Sequence, residues 1–252
     1  TTIVIAVVDS CMIPRDVCDR IKELAAERIG VDTDHMLIAA THTHTAPSLM
    51  DYCLGTRRDQ GYTEFFVPRV VECIATAYGR CQPAEAGWGV TSAPDFTHCR
   101  RWIRRPDRLA DDPFGEPTVR AMMHPGYQNP DYLGPAGPVD SELSLLSLRS
   151  LDGVPICLLT NFSMHYVGGA KGISADYWGH FAKEMHARIT SDHHAASASK
   201  SFVAMMSQGT SGDLHWMNYG QPKSPTTPRE YAAALAGITY RAFEQIEYRT
   251  DV

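Results

Sequence analysis

The sequence has no surplus of positive charge. Its 23 Lys and Arg stand against 29 Asp and Glu, a formal net charge of -6, and no basic run stands out beyond Arg100 to Arg108. That balance argues against a nucleic-acid binder. No apolar run approaches the roughly 18 residues that a membrane-spanning helix needs. No signal peptide is visible. There is no C-x-x-C pair: the cysteines (Cys11, Cys18, Cys53, Cys73, Cys81, Cys99, Cys157) are an odd number scattered along the chain. This is neither a disulfide framework nor a zinc-finger spacing, and scattered thiols lean toward a reducing compartment. Internal repeats and low-complexity tracts are also lacking. So is an initial Met: the chain opens on Thr1-Thr2 and enters a strand almost at once, which reads as a processed, truncated or excerpted chain.

What is present suits a globular fold. The 252 residues are 44% hydrophobic and 21% charged, enough to bury a sizeable core and ordinary for a soluble protein. A single α/β domain over 1–252 is the expectation, with a mixed, largely parallel central sheet flanked by helices. Ile3 to Val8 is a β-branched run of the kind buried in parallel sheets. Val17, Ile21, Leu24, Ala25 and Ile29 follow at helical spacing, with Pro14 ahead of them and Gly30 to end the helix. Met36 to Ala40 is a second apolar strand, so residues 3–40 read as a βαβ unit with parallel strands. Residues 62–80 form a helix ended by Gly79, and Glu85 to Val90 is a weaker strand. Residues 91–141 are rich in Pro, Arg, Asp and Gly and read as a long irregular covering or substrate-facing segment. Leu143 to Arg149 is an alternating strand. Asp152-Gly153 is a hairpin turn leading to the strand Pro155 to Phe162. A helix over 177–190, a short strand from Ser201 to Met206 and a last helix at about 229–247 complete the chain.

Four of the apolar strands run into polar clusters at their carboxyl ends: Asp9-Ser10, His42 with His44, His165, and Gly209 to Asp213. Ligands of open α/β sheets bind outside the carboxyl ends of the strands. Mutually parallel strands would therefore bring these clusters to one crevice. In extended backbone His42 and His44 point the same way. Neutral imidazole is a common metal ligand and a proton shuttle, which makes His42 and His165 candidate ligands for zinc or another divalent metal. Surface or capping histidines, and a buried His165 bonded to backbone, are the plain alternatives. Gly209 to Asp213 can present N–H groups to an oxyanion or form an ordinary Gly-rich turn. Arg100 and Arg101 suit a carboxylate, phosphate or oxyanion, or form a solvated basic face. Asp176 reads as a helix N-cap, and His193-His194 as surface loop residues.

These segments resemble the neutral/alkaline non-lysosomal ceramidase family. Thr41-His42-Thr43-His44-Thr45-Ala46-Pro47 is similar to the family's T-H-T-H-S-G-P. Asn161 to His165 resembles W-F-A-V-H, and Ile173 to Asp176 resembles I-S-G-D. Val139-Asp140 resembles an upstream V-D segment, and Ser207 to Asp213 resembles S-N-x-G-D. The resemblance implies a zinc amidase in which His42 and His165 bind zinc and His44 faces the substrate and its oxyanion. Arg100 in Cys99 to Trp102 is the counterpart of an oxyanion-binding arginine in N-R-S-P. Two departures matter. His215 stands where the family's G-D-V-S-P-N carries its catalytic serine, which leaves His215 or Asp213 as acid or base. The family also draws a glutamate and a tyrosine zinc ligand from a region beyond the length of this chain, and two histidines alone are a sparse zinc set. The expected substrate is a small molecule, lipid-like or sugar-like, cleaved at an amide or related bond. Two alternatives stay open: a carbohydrate-active metal enzyme on the same scaffold, and a non-catalytic ligand-binding domain. The family is usually exported, whereas the cysteines lean the other way.

Overall fold

A computed structural model describes residues 1–52, 56–192 and 202–251. The elements in chain order are β1 (Val4–Val8), α1 (Arg15–Ile29), β2 (Met36–Ala40), α2 (Gln60–Gly79), β3 (Ala84–Ser92), β4 (His98–Cys99), β5 (Arg101–Arg104) and β6 (Ala121–Met123). Then come β7 (Tyr132–Pro135), β8 (Glu142–Ser150), β9 (Pro155–Phe162), α3 (Asp176–Asp192), β10 (Val203–Gln208), β11 (Leu214–His215), α4 (Pro228–Phe243) and β12 (Tyr248–Arg249). His193 and His194 lie outside the described residues. No helix among the described residues is long and apolar enough to cross a membrane.

The architecture is mixed α/β. β1 and β2 pair in parallel, joined by α1, as the strand-helix-strand spacing of residues 3–40 predicts. α1 buries Val17, Ile21 and Ala25 and stops at Gly30, whose φ of 69° is left-handed and whose N–H reaches the Ala26 carbonyl. Glycine takes that conformation without a Cβ penalty. A second sheet has the order β10-β9-β8-β3-β12, parallel between β10 and β9 and antiparallel elsewhere. The β1–β2 pair abuts β10. Parallel pairing is thus concentrated in the two pairs whose carboxyl ends carry the histidine segments.

Two apolar cores result. One packs α1 and α2 on the β1–β2 pair through Ile21, Leu49, Val67 and Ile74. The other packs α3 and α4 on the larger sheet through Leu143, Phe162, Phe181, Met185 and Leu235. The loop after β2 is tied to the start of α3, because Thr43 and Thr45 both donate their hydroxyls to the Ser174 carbonyl at 2.7 and 2.8 Å.

Two local expectations change. Residues 91–141 are not irregular throughout: they hold β4 to β7, and β6, β5 and β7 form their own antiparallel sheet. Strands of three or four residues leave too little periodicity to read. The last helix stops at Phe243, short of the expected 247, because Tyr248–Arg249 pairs with β3 instead. Tertiary pairing overrides the continuing apolar period there. α4 begins as its sequence suggests, with Thr227 and Glu230 forming a reciprocal capping box ahead of Pro228. α2 ends at Gly79 and is capped at its start by Asp59, whose carboxylate accepts the Tyr62 N–H.

Candidate active site

The site is built from the carboxyl ends of the two parallel pairs. His42 follows β2, and its Nδ1 lies 2.7 Å from the Cys11 carbonyl, which follows β1. His165 follows β9, and its Nδ1 lies 3.0 Å from the Ser211 carbonyl, which follows β10. A carbonyl only accepts, so both Nδ1 atoms carry the proton and both Nε2 atoms keep a lone pair. The two rings meet edge to face with centroids 4.7 Å apart. His44 joins them: its Nε2 is 3.2 Å from that of His42, and its ring stacks on Tyr166 at 3.9 Å. The Sγ of Cys11 lies 3.8 Å from His42 Nδ1.

His215 closes the far side. It is 3% exposed, its ring faces those of His124 and Tyr166 at 5.5 and 5.6 Å, and its Nδ1 has no hydrogen-bond partner among the described residues. His124 shares a short hydrogen bond with the Tyr219 hydroxyl and takes its main-chain position from the Arg100 carbonyl. Arg100 donates Nη2 to the Gly212 carbonyl at 2.5 Å, while its Nε has no partner and no carboxylate pairs with it among the described residues.

The electrostatics follow from this crowding. Burial first, and then the neighbouring histidines and Arg100, push His215 down to about 3 and His44 to about 4. His165 falls to about 4 through burial, partly countered by its bond to Ser211. The rings are therefore neutral near pH 7, the form that binds metals. Burial pushes Tyr219 up to about 12, so it stays a hydroxyl donor. His42 (φ 72°), His124 (φ 55°) and Asp176 (φ 50°) are three of the non-glycine residues held in left-handed backbone. Such strain collects at functional sites, where the surrounding structure holds it.

Asp176 is more than a cap. Its carboxylate accepts the Tyr177 N–H at 2.7 Å and also those of Val167 at 2.9 Å and Gly168 at 2.8 Å. It thus clamps the loop that leaves His165. Ser163 Oγ donates to Asp140 Oδ2 and accepts the Thr210 N–H, linking the ends of β9 and β10.

Of the residues singled out in the sequence, the fold brings His42, His44, His165, His215 and Arg100 together. Asp213 contributes its carbonyl to the Arg100 N–H. Its carboxylate lies toward Gly137 and is not among the charges that act on the histidines. Arg101 lies in β5 and is exposed, separated from Arg100 by the alternation of extended backbone. Cys11, His124, Tyr166 and Tyr219 were not legible as site residues. Tyr166 and Cys11 have a local signal, the first next to His165 and the second directly after Asp9-Ser10.

No family model matches the sequence, and no curated protein matches it either. The fold does have solved counterparts. The crystal structure of neutral ceramidase from Pseudomonas aeruginosa is 20% identical with a TM-score of 0.67, covering 96% of this chain and 36% of that one. A ceramidase complexed with C2 has the same identity and coverage and a TM-score of 0.68. This chain therefore has the α/β fold found in those ceramidases, divergent in sequence and spanning about 36% of their length.

Proposed function

We propose that this chain carries the site of a metal-dependent hydrolase that cleaves an amide or related bond with water. One observation carries the reading. His42 and His165 meet with both Nδ1–H groups bonded to main-chain carbonyls, so both Nε2 atoms keep a lone pair, that of His42 facing His44 Nε2 at 3.2 Å. Metal-binding histidines are supported in this way, with the second ring nitrogen fixed by a carbonyl or carboxylate.

Among the described residues the ligating atoms of Cys11, His42 and His44 lie within 4.8 Å of one another, and the His165 ring adjoins this group with its centroid 4.7 Å from that of His42; these are the residues that would hold zinc. Bound zinc supplies a Lewis acid and brings the pKa of water near neutrality. His44 and Arg100 would face the acyl oxygen as charge develops on it, with Arg100 bringing a positive charge that no carboxylate among the described residues pairs with. His215 borders this space, but burial makes its ring a weak base, so the proton of the attacking water goes to the departing amine directly. The water oxygen bonds to the acyl carbon, the C–N bond breaks, and an acid and an amine result.

The test is elemental analysis of the purified chain beside a His42→Ala, His165→Ala double variant, with amine release followed over a panel of N-acyl compounds. Near-stoichiometric zinc, absent from the variant, with amine release that a chelator stops, supports the reading. A wild type that retains no metal after supplementation sinks it.

A further inference from the structure

Beside His215 lies a cavity of about 300 Å³ that contains none of the histidine cluster yet shares walls with it. Trp216 lines it, with its ring 5.8 Å from that of His215. Tyr127 lines it as well, 5.2 Å from Tyr219, the partner of His124. Phe96 and Tyr231 add a third and a fourth aromatic wall, Asp95 and Glu230 bring two carboxylates, and Asn218 and Gln221 bring two amides. The Tyr127 hydroxyl is buried and has no hydrogen-bond partner among the described residues. Leaving such a group unpaired is costly, and a water or a ligand group can supply its partner.

The lining decides the ligand's chemistry. A hydrocarbon chain would strip water from Asp95 and the two amides and give nothing back. A phosphate or carboxylate would meet Asp95 with no Lys or Arg in the walls to balance it. A neutral polyhydroxylated ring satisfies both halves. Its C–H face packs on aromatic rings, and its hydroxyls both donate to Asp95 and pair with the amides. The volume is at the small end for a ligand site, which limits the occupant to about one ring.

We propose that this cavity is a subsite for a glycosyl unit of the substrate, placed next to His215. That the ring belongs to a substrate rests on the hydrolase reading, but binding of the ring does not. The experiment is calorimetric titration with methyl β-glucoside, methyl β-galactoside and N-acetylglucosamine. The proteins are the wild type, Tyr127→Phe, Asp95→Ala and the His42→Ala, His165→Ala double variant. Saturable binding of at least one sugar is expected. It should weaken about tenfold in Tyr127→Phe and in Asp95→Ala, and persist in the double variant. Failure of the hydrolase reading would leave this result standing, because the double variant reads the subsite without the metal. Binding of none of the three sugars, or binding indifferent to both cavity variants, overturns the proposal. So does saturable binding of tetramethylammonium that is much tighter than that of every sugar and is lost in Asp95→Ala, which would mark the cavity as an aromatic cage for a cation.

Discussion

His165 donates its Nδ1–H to the main-chain carbonyl of Ser211 across 3.0 Å. The ring leaves the end of β9 and the carbonyl leaves the end of β10, so the parallel pairing of these strands sets the tautomer. His42 is held in the same way by Cys11, across the end of the β1–β2 pair. Each pair supplies one histidine and the carbonyl that orients it.

Replacement of either histidine tests that arrangement. His42→Ala or His165→Ala should weaken zinc binding by more than about 100-fold, since losing a ligand costs more than losing its support. Competition with a chromophoric chelator measures this. Retention of wild-type affinity by His165→Ala would exclude that ring as a ligand.

Asp176 should matter to stability and to the metal at once. Asp176→Ala leaves the Val167, Gly168 and Tyr177 N–H groups without their acceptor, at a cost of about 3 kcal/mol. Asp176→Asn keeps an acceptor oxygen and tolerates the left-handed backbone, so it should cost less. Urea unfolding gives the stability, and the chelator competition should show zinc affinity falling in the order wild type, Asn, Ala. A purely structural role would leave zinc affinity of the folded Asn variant unchanged.

Gly209→Ala should destabilise by about 1–3 kcal/mol. A Cβ at this position would collide with Ser163 Oγ and come within 3.1 Å of Asn161 Oδ1. Ser163 is the residue that joins the ends of β9 and β10, so the clash falls on the site. An unchanged urea midpoint would mean that the strands part there without cost.

Stability should fall on mild acidification. His215 is pushed from 6.5 to about 3 by burial and its neighbours. Below 6.5 the unfolded chain binds a proton that the folded site resists, so stability drops as pH falls from about 6.5 toward 3 and levels off beneath that. The stability gained from keeping this ring neutral is complete above 6.5. Thermal unfolding across that window, compared with His215→Gln, isolates the contribution: the variant should give a flatter profile. Identical profiles would assign the acid sensitivity to other groups.

Much of this fold is legible before any pairing is known. The runs Val4 to Val8, Met36 to Ala40 and Pro155 to Phe162 are apolar enough to specify strands locally, but only the third is largely buried: the two-stranded β1–β2 sheet leaves Ile5 and Leu37 exposed. The spacing of Val17, Ile21 and Ala25 specifies α1, and Gly30 specifies its end. The histidine segments stand out because imidazoles directly after apolar strands have little reason to be there for packing alone.

Other features depend on which segments meet. Nothing local marks Tyr248–Arg249 as a partner of β3, or shows that β5 gathers two short strands from a Pro-rich segment. His124 and Tyr219 lie 95 residues apart and become neighbours only through that segment's fold. Asp213 and Arg100 look equally eligible as functional groups, yet the turn at Gly212 sends the Asp213 carboxylate toward Gly137. By itself the sequence determined the longer strands, the main helices and the two histidine segments, because propensity and periodicity act over a few residues. The tertiary structure decided the tautomers of His42 and His165, the burial of His215 and the cavity beside it, because each depends on groups brought together by long-range pairing.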